Sequence, residues 1–305
     1  MMRTGRAPRR GSRAGALASL TLLGALTGCD ATANAVERPQ IVVTTNILGD
    51  VAERVAGDSV DITTLMKPNA DPHSFEISAQ EAATLQSADL VVSSGLGLEE
   101  GVEQHLESAA DAGVTRFVAA DHIDVLPYSG DASGPDPHFW TDPARMVDVV
   151  VALDAALSDL GIESDPDAYL AELDELDAEM TAAFEAIPAE HRALVTNHHV
   201  FGYLADRFDF DLIGAAVPGG STLASPSAAD LADLASAIER SGVPTIFAES
   251  SQPDRLMQVL SDEVDIDVDV VELYTESLTP PGGGADTYLS MMRSNTERIA
   301  RGLSP

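Results

Sequence analysis

Short runs of branched aliphatic residues alternate with stretches of helical period along most of this 305-residue chain. That alternation restricts the fold more than any other feature. Ile41-Val42-Val43-Thr44-Thr45, Val60 to Met66, Leu90 to Gly95, Arg116 to Ala119, Ala193 to Thr196, Asp211 to Val217, Thr245 to Ala248 and Val268 to Val271 read as buried-type strands. Between them, apolar residues recur at three- and four-residue intervals over Ile47 to Ala56, from Ser78, over Glu99 to Ala110, through Tyr203, over Ser227 to Arg240 and over Pro253 to Glu263. Ser78 with Glu81 three residues on is a capping-box signature. Strand and helix in turn imply parallel strands with helices on both faces, so the class is α/β.

The pattern is interrupted once. Asp121 to Pro137 contains Pro127, Gly130, Gly134, Pro135 and Pro137 and is a loop. Two helical stretches follow, Pro143 to Leu160 and Asp167 to Ile187, before the alternation restarts beyond Pro188. The second keeps Tyr169, Leu170, Leu173, Leu176, Met180 and Phe184 in register. At ~1.5 Å per residue it spans roughly 30 Å. It reads as a strut joining two β-α lobes, with a surface helix on a single domain as the alternative. The expected organisation is a leader at 1–28, a tether at 29–39, a first lobe at 40–165, a linking helix at 166–188 and a second lobe at 189–305. Asp286 opens a terminal helix through Tyr288, Leu289, Met292 and Ile299 and is well placed to cap it.

The leader combines Arg3, Arg6, Arg9, Arg10 and Arg13, an apolar stretch from Ala14 to Leu26, and Leu26-Thr27-Gly28-Cys29. That is a signal peptide. Its apolar part falls short of the ~20 residues that span a bilayer. Small residues before the sole cysteine resemble the lipobox of bacterial lipoproteins, which makes Cys29 a lipidation site and the protein an extracytoplasmic one anchored to the cell membrane. With one Cys in the chain, a disulfide framework and a thiolate metal site are both excluded. The formal net charge of −33 becomes more negative still without five leader arginines. Such a field excludes nucleic acid and anionic membrane surfaces as partners.

Histidine is scarce, seven in the chain, yet three lie about sixty residues apart in turn-like contexts. They are His73 in Asp71-Pro72-His73-Ser74-Phe75-Glu76, His138 in Asp136-Pro137-His138-Phe139-Trp140, and His198 in Asn197-His198-His199-Val200-Phe201-Gly202-Tyr203. Imidazole is the commonest metal ligand, and loops on a rigid scaffold are where binding groups collect. A metal site assembled by the fold is the reading this spacing favours. Individually, His73 and His138 could be turn residues and His198 a satisfied core histidine. His105, His122 and His191 lie in polar contexts and read as surface residues. Glu249 ends a buried-type strand, at a point where ligand sites of open α/β sheets lie. It could orient a ligand histidine or be a structural carboxylate.

Together these motifs, with Phe-Ala-Glu at Glu249 and Ala-Asp-Thr-Tyr-Leu-x-Met-Met around Asp286, resemble the solute-binding proteins of the zinc/manganese ABC-transporter family over Ile41 to Leu303. The resemblance implies two α/β lobes joined by a rigid helix, with one metal in the cleft between them. It implies His73 and His138 as ligands from the first lobe and His198 and Asp286 from the second, with Asp286 as a simple helix cap left open. His198 is preferred to His199 because it stands three before Phe201. A histidine rather than a glutamate at the third position tilts the metal toward Zn(II), with Mn(II) as the alternative. Three imidazoles and a carboxylate suit tetrahedral zinc, whereas manganese favours more oxygens. The loop before His138 departs from the long His-rich loop of many zinc members, since it holds only His122 with Asp124, Asp131 and Asp136.

The function implied is capture of Zn(II) and delivery to an ABC permease by a monomeric lipoprotein, without catalysis. A zinc hydrolase is the competing class, because three histidines and a water form a catalytic shell. Against it stand a carboxylate closing the fourth position and the lack of a His-Glu-x-x-His helix. A surface adhesin is a third reading that no residue supports.

Overall fold

A computed structural model describes residues 38–129, 132–217 and 219–304. Cys29 and the leader lie outside the described residues, as does Asp131. The chain from Arg38 onward forms one compact unit.

The first half contains β1 (Gln40–Val43), α1 (Asn46–Ala56), β2 (Asp61–Thr64), α2 (Ala79–Gln86), β3 (Leu90–Ser93), α3 (Glu103–Asp111) and β4 (Thr115–Val118). Its strands form one parallel sheet in the order β2-β1-β3-β4. Side chains alternate across a strand, and here both faces are covered. Ile41, Val43, Leu90 and Val92 enter the main core, while Val42 and Val91 join Leu85, Val102 and Leu106 on the other side. Burial on both faces is why these strands read as unbroken apolar runs. The capping box of α2 forms as its sequence predicts, with Ser78 accepting from the Glu81 amide and Glu81 from that of Ser78.

Helix α3 starts four residues later than its apolar period suggests. After the positive-φ residues Gly95, Leu96 and Gly97, the chain continues as turns through residue 102. The Glu99 carboxylate accepts from the Ser94 and Gly95 amides and the Thr44 hydroxyl. Burial pushes this carboxyl up despite those bonds.

Two long helices follow, α4 (Pro143–Asp159) and α5 (Asp167–Glu185). Asp142 caps α4 through the Ala144 amide, with proline in the first turn. The second half holds β5 (Ala193–Thr196), α6 (Gly202–Phe208), β6 (Asp211–Ala215), α7 (Ala228–Ser241), β7 (Thr245–Glu249), α8 (Arg255–Glu263), β8 (Asp269–Leu273) and α9 (Tyr288–Leu303). Its strands pair in parallel as β5-β6 and β7-β8, and β5 lies beside β7.

Helix α5 is packed along its length. Tyr169, Leu173, Leu176, Met180 and Phe184 are buried, and the helix lies against α4 and α9. One apolar cluster runs from Ile41 and Val43 through these residues to Phe247, Met292 and Ile299. Helix α9 begins one residue beyond the sequence expectation. Thr287, not Asp286, is its cap and exchanges hydrogen bonds with Ser290. Among the described residues no helix is long and apolar enough to cross a membrane.

Candidate metal centre

Four side chains from four separate loops converge in the interior. His73, His138, His198 and Glu276 each offer a ligand atom, and these atoms all lie within 4.8 Å of one another. His73 follows β2, His138 ends the long loop after β4, His198 follows β5 and Glu276 follows β8. Each thus lies beyond the carboxyl end of a parallel strand, where backbone groups leave the ladder and crevices open.

Local hydrogen bonding fixes each loop. In both Asp-Pro-His turns the aspartate Oδ1 accepts from the amide of the histidine two residues on, 2.8 Å at His73 and 2.9 Å at His138. The loop before His138 is folded back by an antiparallel bridge between Pro127 and Pro135. It is tied to α6 by the Tyr203 hydroxyl, which donates to the Asp136 carbonyl and accepts from the Leu126 amide. Gly202 lets α6 approach: a Cβ there would lie 2.3 Å from Asp136 Oδ2. At 197–201 the expected helix gives way to a turn, because Thr196 Oγ1 and the Val200 amide donate to the His198 carbonyl. The Glu276 loop is held from the first half. Trp140 Nε1 donates to the Thr275 carbonyl, Asn46 Nδ2 to Ser277 Oγ, and the Leu278 amide to Asn46 Oδ1.

The inward-facing atoms are unusually close for groups with so little to share. Glu276 Oε1 lies 3.1 Å from His73 Nε2, 3.4 Å from His138 Nε2 and 3.3 Å from His198 Nε2, and His73 Nε2 is 3.4 Å from His138 Nε2. His198 Nε2 and Glu276 Oε1 make no aligned hydrogen bond at these distances. All four residues are at most 1% exposed. Buried polar groups left without partners are costly, and a cation among them removes that cost. Around tetrahedral zinc with ~2.0–2.1 Å bonds, neighbouring ligand atoms stand about 3.3 Å apart, close to four of the six separations in the cluster, and all six lie within 4.8 Å.

Outward-facing atoms set the charge balance. His138 Nδ1 is 2.8 Å from Asp136 Oδ1, and His198 Nδ1 is 2.6 Å from Glu249 Oε1, which also accepts from the His198 amide. Glu249 is itself oriented by Asn197, whose Oδ1 accepts from its amide. Burial opposes charge on His138, but the hydrogen bond to Asp136 and the nearby Glu276 carboxylate outweigh it and raise its pKa above the usual imidazole value. Burial likewise opposes charge on His198, and the Glu249 and Glu276 carboxylates carry it well above that value. Glu276 would be pushed up by burial, yet the His198 charge and the three imidazoles packed against its carboxylate hold it well below the carboxylate range. These shifts favour an ionised Glu276 facing His138 and His198 rings that hold their protons.

Asp286, expected as the fourth ligand, does not join the cluster. It is exposed, and its carboxylate accepts from the Gly282 amide and Ser290 Oγ within its own turn. The Gly282 bond holds its pKa below the usual value. Glu276, ten residues earlier, stands in its place. Sequence marks Glu276 only weakly, as one acid among many just past the Val-rich strand β8. His199 is buried as well and lies outside the cluster. His122 stacks on Phe117 with ring centroids 4.8 Å apart at an exposed position, and His105 and His191 are half-buried.

Comparisons with known proteins identify the family. The profile of the family described as "Zinc-uptake complex component A periplasmic" matches residues 41–302. The periplasmic zinc-binding protein TroA of Treponema pallidum has a solved structure similar to this one, with a TM-score of 0.80 at 30% identity over 88% of this chain and 100% of that one. The manganese-binding lipoprotein MntA of Halalkalibacterium halodurans is 28% identical over 275 residues, 87% of this chain and 88% of its own. The iron-binding protein YfeA of Yersinia pestis is 29% identical over 86% of both chains. The chain belongs to the family of metal-binding solute-binding proteins of ABC transporters. It is a binding component and not an enzyme.

Proposed function

We propose that the protein captures Zn(II) outside the cytoplasmic membrane, where a lipid on Cys29 anchors it, and delivers it as a monomer to an ABC permease. The ligands in this reading are His73, His138, His198 and Glu276, with Glu249 holding His198 in the tautomer that presents Nε2. The observation that carries it is the convergence of three imidazole nitrogens and one carboxylate oxygen in a buried, unsatisfied cluster. An N₃O shell at tetrahedral spacing favours zinc, while manganese favours more oxygens and higher coordination. Mn(II) is the competing cargo, supported by the manganese-binding relative.

Elemental analysis after equilibrating metal-stripped protein with equal Zn(II) and Mn(II) tests the metal. One equivalent of zinc supports the reading, and dominant manganese overturns the metal while keeping the transport role. Glu276→Gln and Asp286→Asn test the ligands. Glu276→Gln is expected to lower affinity more than the ~10–100-fold typical of an outer-shell partner, and Asp286→Asn to leave it unchanged. The reverse pattern would return the fourth position to Asp286.

A further inference from the structure

The tripeptide Asp-Pro-His occurs twice, and its two aspartates are used differently. Asp136 Oδ1 serves both the amide and the ring Nδ1 of His138. Asp71 Oδ1 accepts only the amide of His73, and the His73 ring Nδ1 makes no hydrogen bond. The other oxygen of Asp71 faces the opposite half of the protein. Oδ2 accepts from Thr222 Oγ1 at 2.6 Å and Gln252 Nε2 at 2.8 Å, residues 151 and 181 positions further along. These lie on the loops after β6 and β7. Asp71 is 8% exposed, so its carboxylate relies on these donors.

The turn bearing Thr222 is held at a second point. The Tyr128 hydroxyl donates to the Gly220 carbonyl at 2.7 Å. A Cβ on Gly220 would sit 2.3 Å from the Tyr128 ring, and that ring packs edge-on against His138 with centroids 6.1 Å apart. Behind the turn is a cavity of about 410 Å³, lined by His198, Asn197, Thr222 and Gln252 with apolar Val217 and Leu256. Thr222 and Gln252 therefore stand between that cavity and the aspartate that positions His73.

We propose that Asp71 is a positioning residue and the fixed half of a clasp: its Oδ2, gripped by Thr222 and Gln252, holds the 219–222 turn over the metal centre and sets the rate of metal release. Opening the clasp frees the turn and loosens the loop carrying His73, the one cluster histidine whose outer nitrogen makes no hydrogen bond and faces only the Glu100 carboxylate at 3.9 Å. The metal then leaves toward the cavity beside His198. This rests on the metal-binding reading above, but the clasp supplies no ligand, so it governs kinetics and leaves stoichiometry alone.

The test is the double variant Thr222→Val, Gln252→Leu, which removes both donors and keeps the Asp71–His73 contact. Zn(II)-loaded protein is mixed with excess chromogenic chelator and release is followed by stopped flow. Release about 10–100-fold faster is expected, at roughly a factor of ten per charge-assisted hydrogen bond. One zinc per chain and an unchanged Co(II) absorption spectrum should accompany it. Thr222→Ser, which keeps the hydroxyl, should release at close to the wild-type rate. Hydrogen exchange on metal-free protein gives a readout independent of metal, with faster exchange expected at 219–226 in the double variant. Thr222→Ala alone serves if the double variant does not fold. Wild-type release from the double variant overturns the proposal, as does faster exchange without faster release. Failure of the wild-type protein to hold metal would instead defeat the metal-binding reading, leaving the exchange arm to judge the clasp.

Discussion

Replacing Glu249 by glutamine tests the electrostatic construction of the centre without touching a ligand. Glu249 Oε1 accepts from the His198 amide at 3.0 Å and from Nδ1 at 2.6 Å, and the glutamine carbonyl can accept from both. What is lost is the charge. A hydrogen bond to an ionised group contributes ~1.5–3 kcal/mol against ~0.5–1.5 for a neutral one, so the change costs about 1.4 kcal/mol of metal affinity, or roughly tenfold. The same carboxylate raises the proton affinity of His198, and protons compete with metal for Nε2. Glu249→Gln therefore weakens both competitors. Its defect should be greatest at alkaline pH, where wild-type His198 is neutral, and should shrink as pH falls and wild-type must first lose a proton that the variant holds less tightly. Competition with a chelator of known affinity across pH measures it. Unchanged affinity at alkaline pH, or a defect that widens on acidification, would refute the reasoning.

Two further outcomes follow from the same geometry. Because His138 and His198 both retain protons above the usual imidazole value of 6.5, wild-type metal affinity should begin to fall while pH is still above that value and fall further below it, with Glu276 ionised throughout; a Kd flat between about pH 7.5 and 5 would count against the site. Asp50, half-buried on α1 and accepting from the Tyr288 amide, is pushed by burial from 3.8 to about 6. A raised carboxyl favours folding below its unfolded pKa, and that contribution is lost as pH rises through about 6. The gap corresponds to ~3 kcal/mol, and partial solvent access reduces it to roughly half. Asp50→Asn should therefore raise the midpoint of thermal unfolding near pH 7.5 and lose that advantage near pH 4, and equal melting of both proteins at pH 7.5 would contradict this.

The parallel sheet was legible because buried strands such as Ile41–Val43 and Leu90–Ser93 show their environment directly: apolar on both faces, they leave no polar alternation to mislead. Capping chemistry was equally direct at Ser78 and Glu81. Apolar period alone failed at helix starts. It did not register the turns through residue 102 that precede α3, or the turn at 197–201 that holds His198. The three histidines stood out because the residue is rare here. The carboxylate did not, because in a chain with 50 Asp and Glu any one acid is weakly marked by composition. Asp286 drew the assignment through its neighbours Ala-Asp-Thr-Tyr, and the structure spends that aspartate on its own turn. Glu276 became visible only when Trp140 and Asn46, distant in sequence, were seen to pin its loop. Such tertiary contacts have no local signature.

One apolar core runs from β1 through α4 and α5 to α9, so a wide swing of one half against the other would have to break it, and metal loading is expected to be signalled locally. Opening that core would expose side chains such as Leu173 and Met180, each contributing ~1.5–3 kcal/mol when buried. A receptor in the membrane would then tell a full carrier from an empty one by the posture of surface turns, a difference in texture and not in outline.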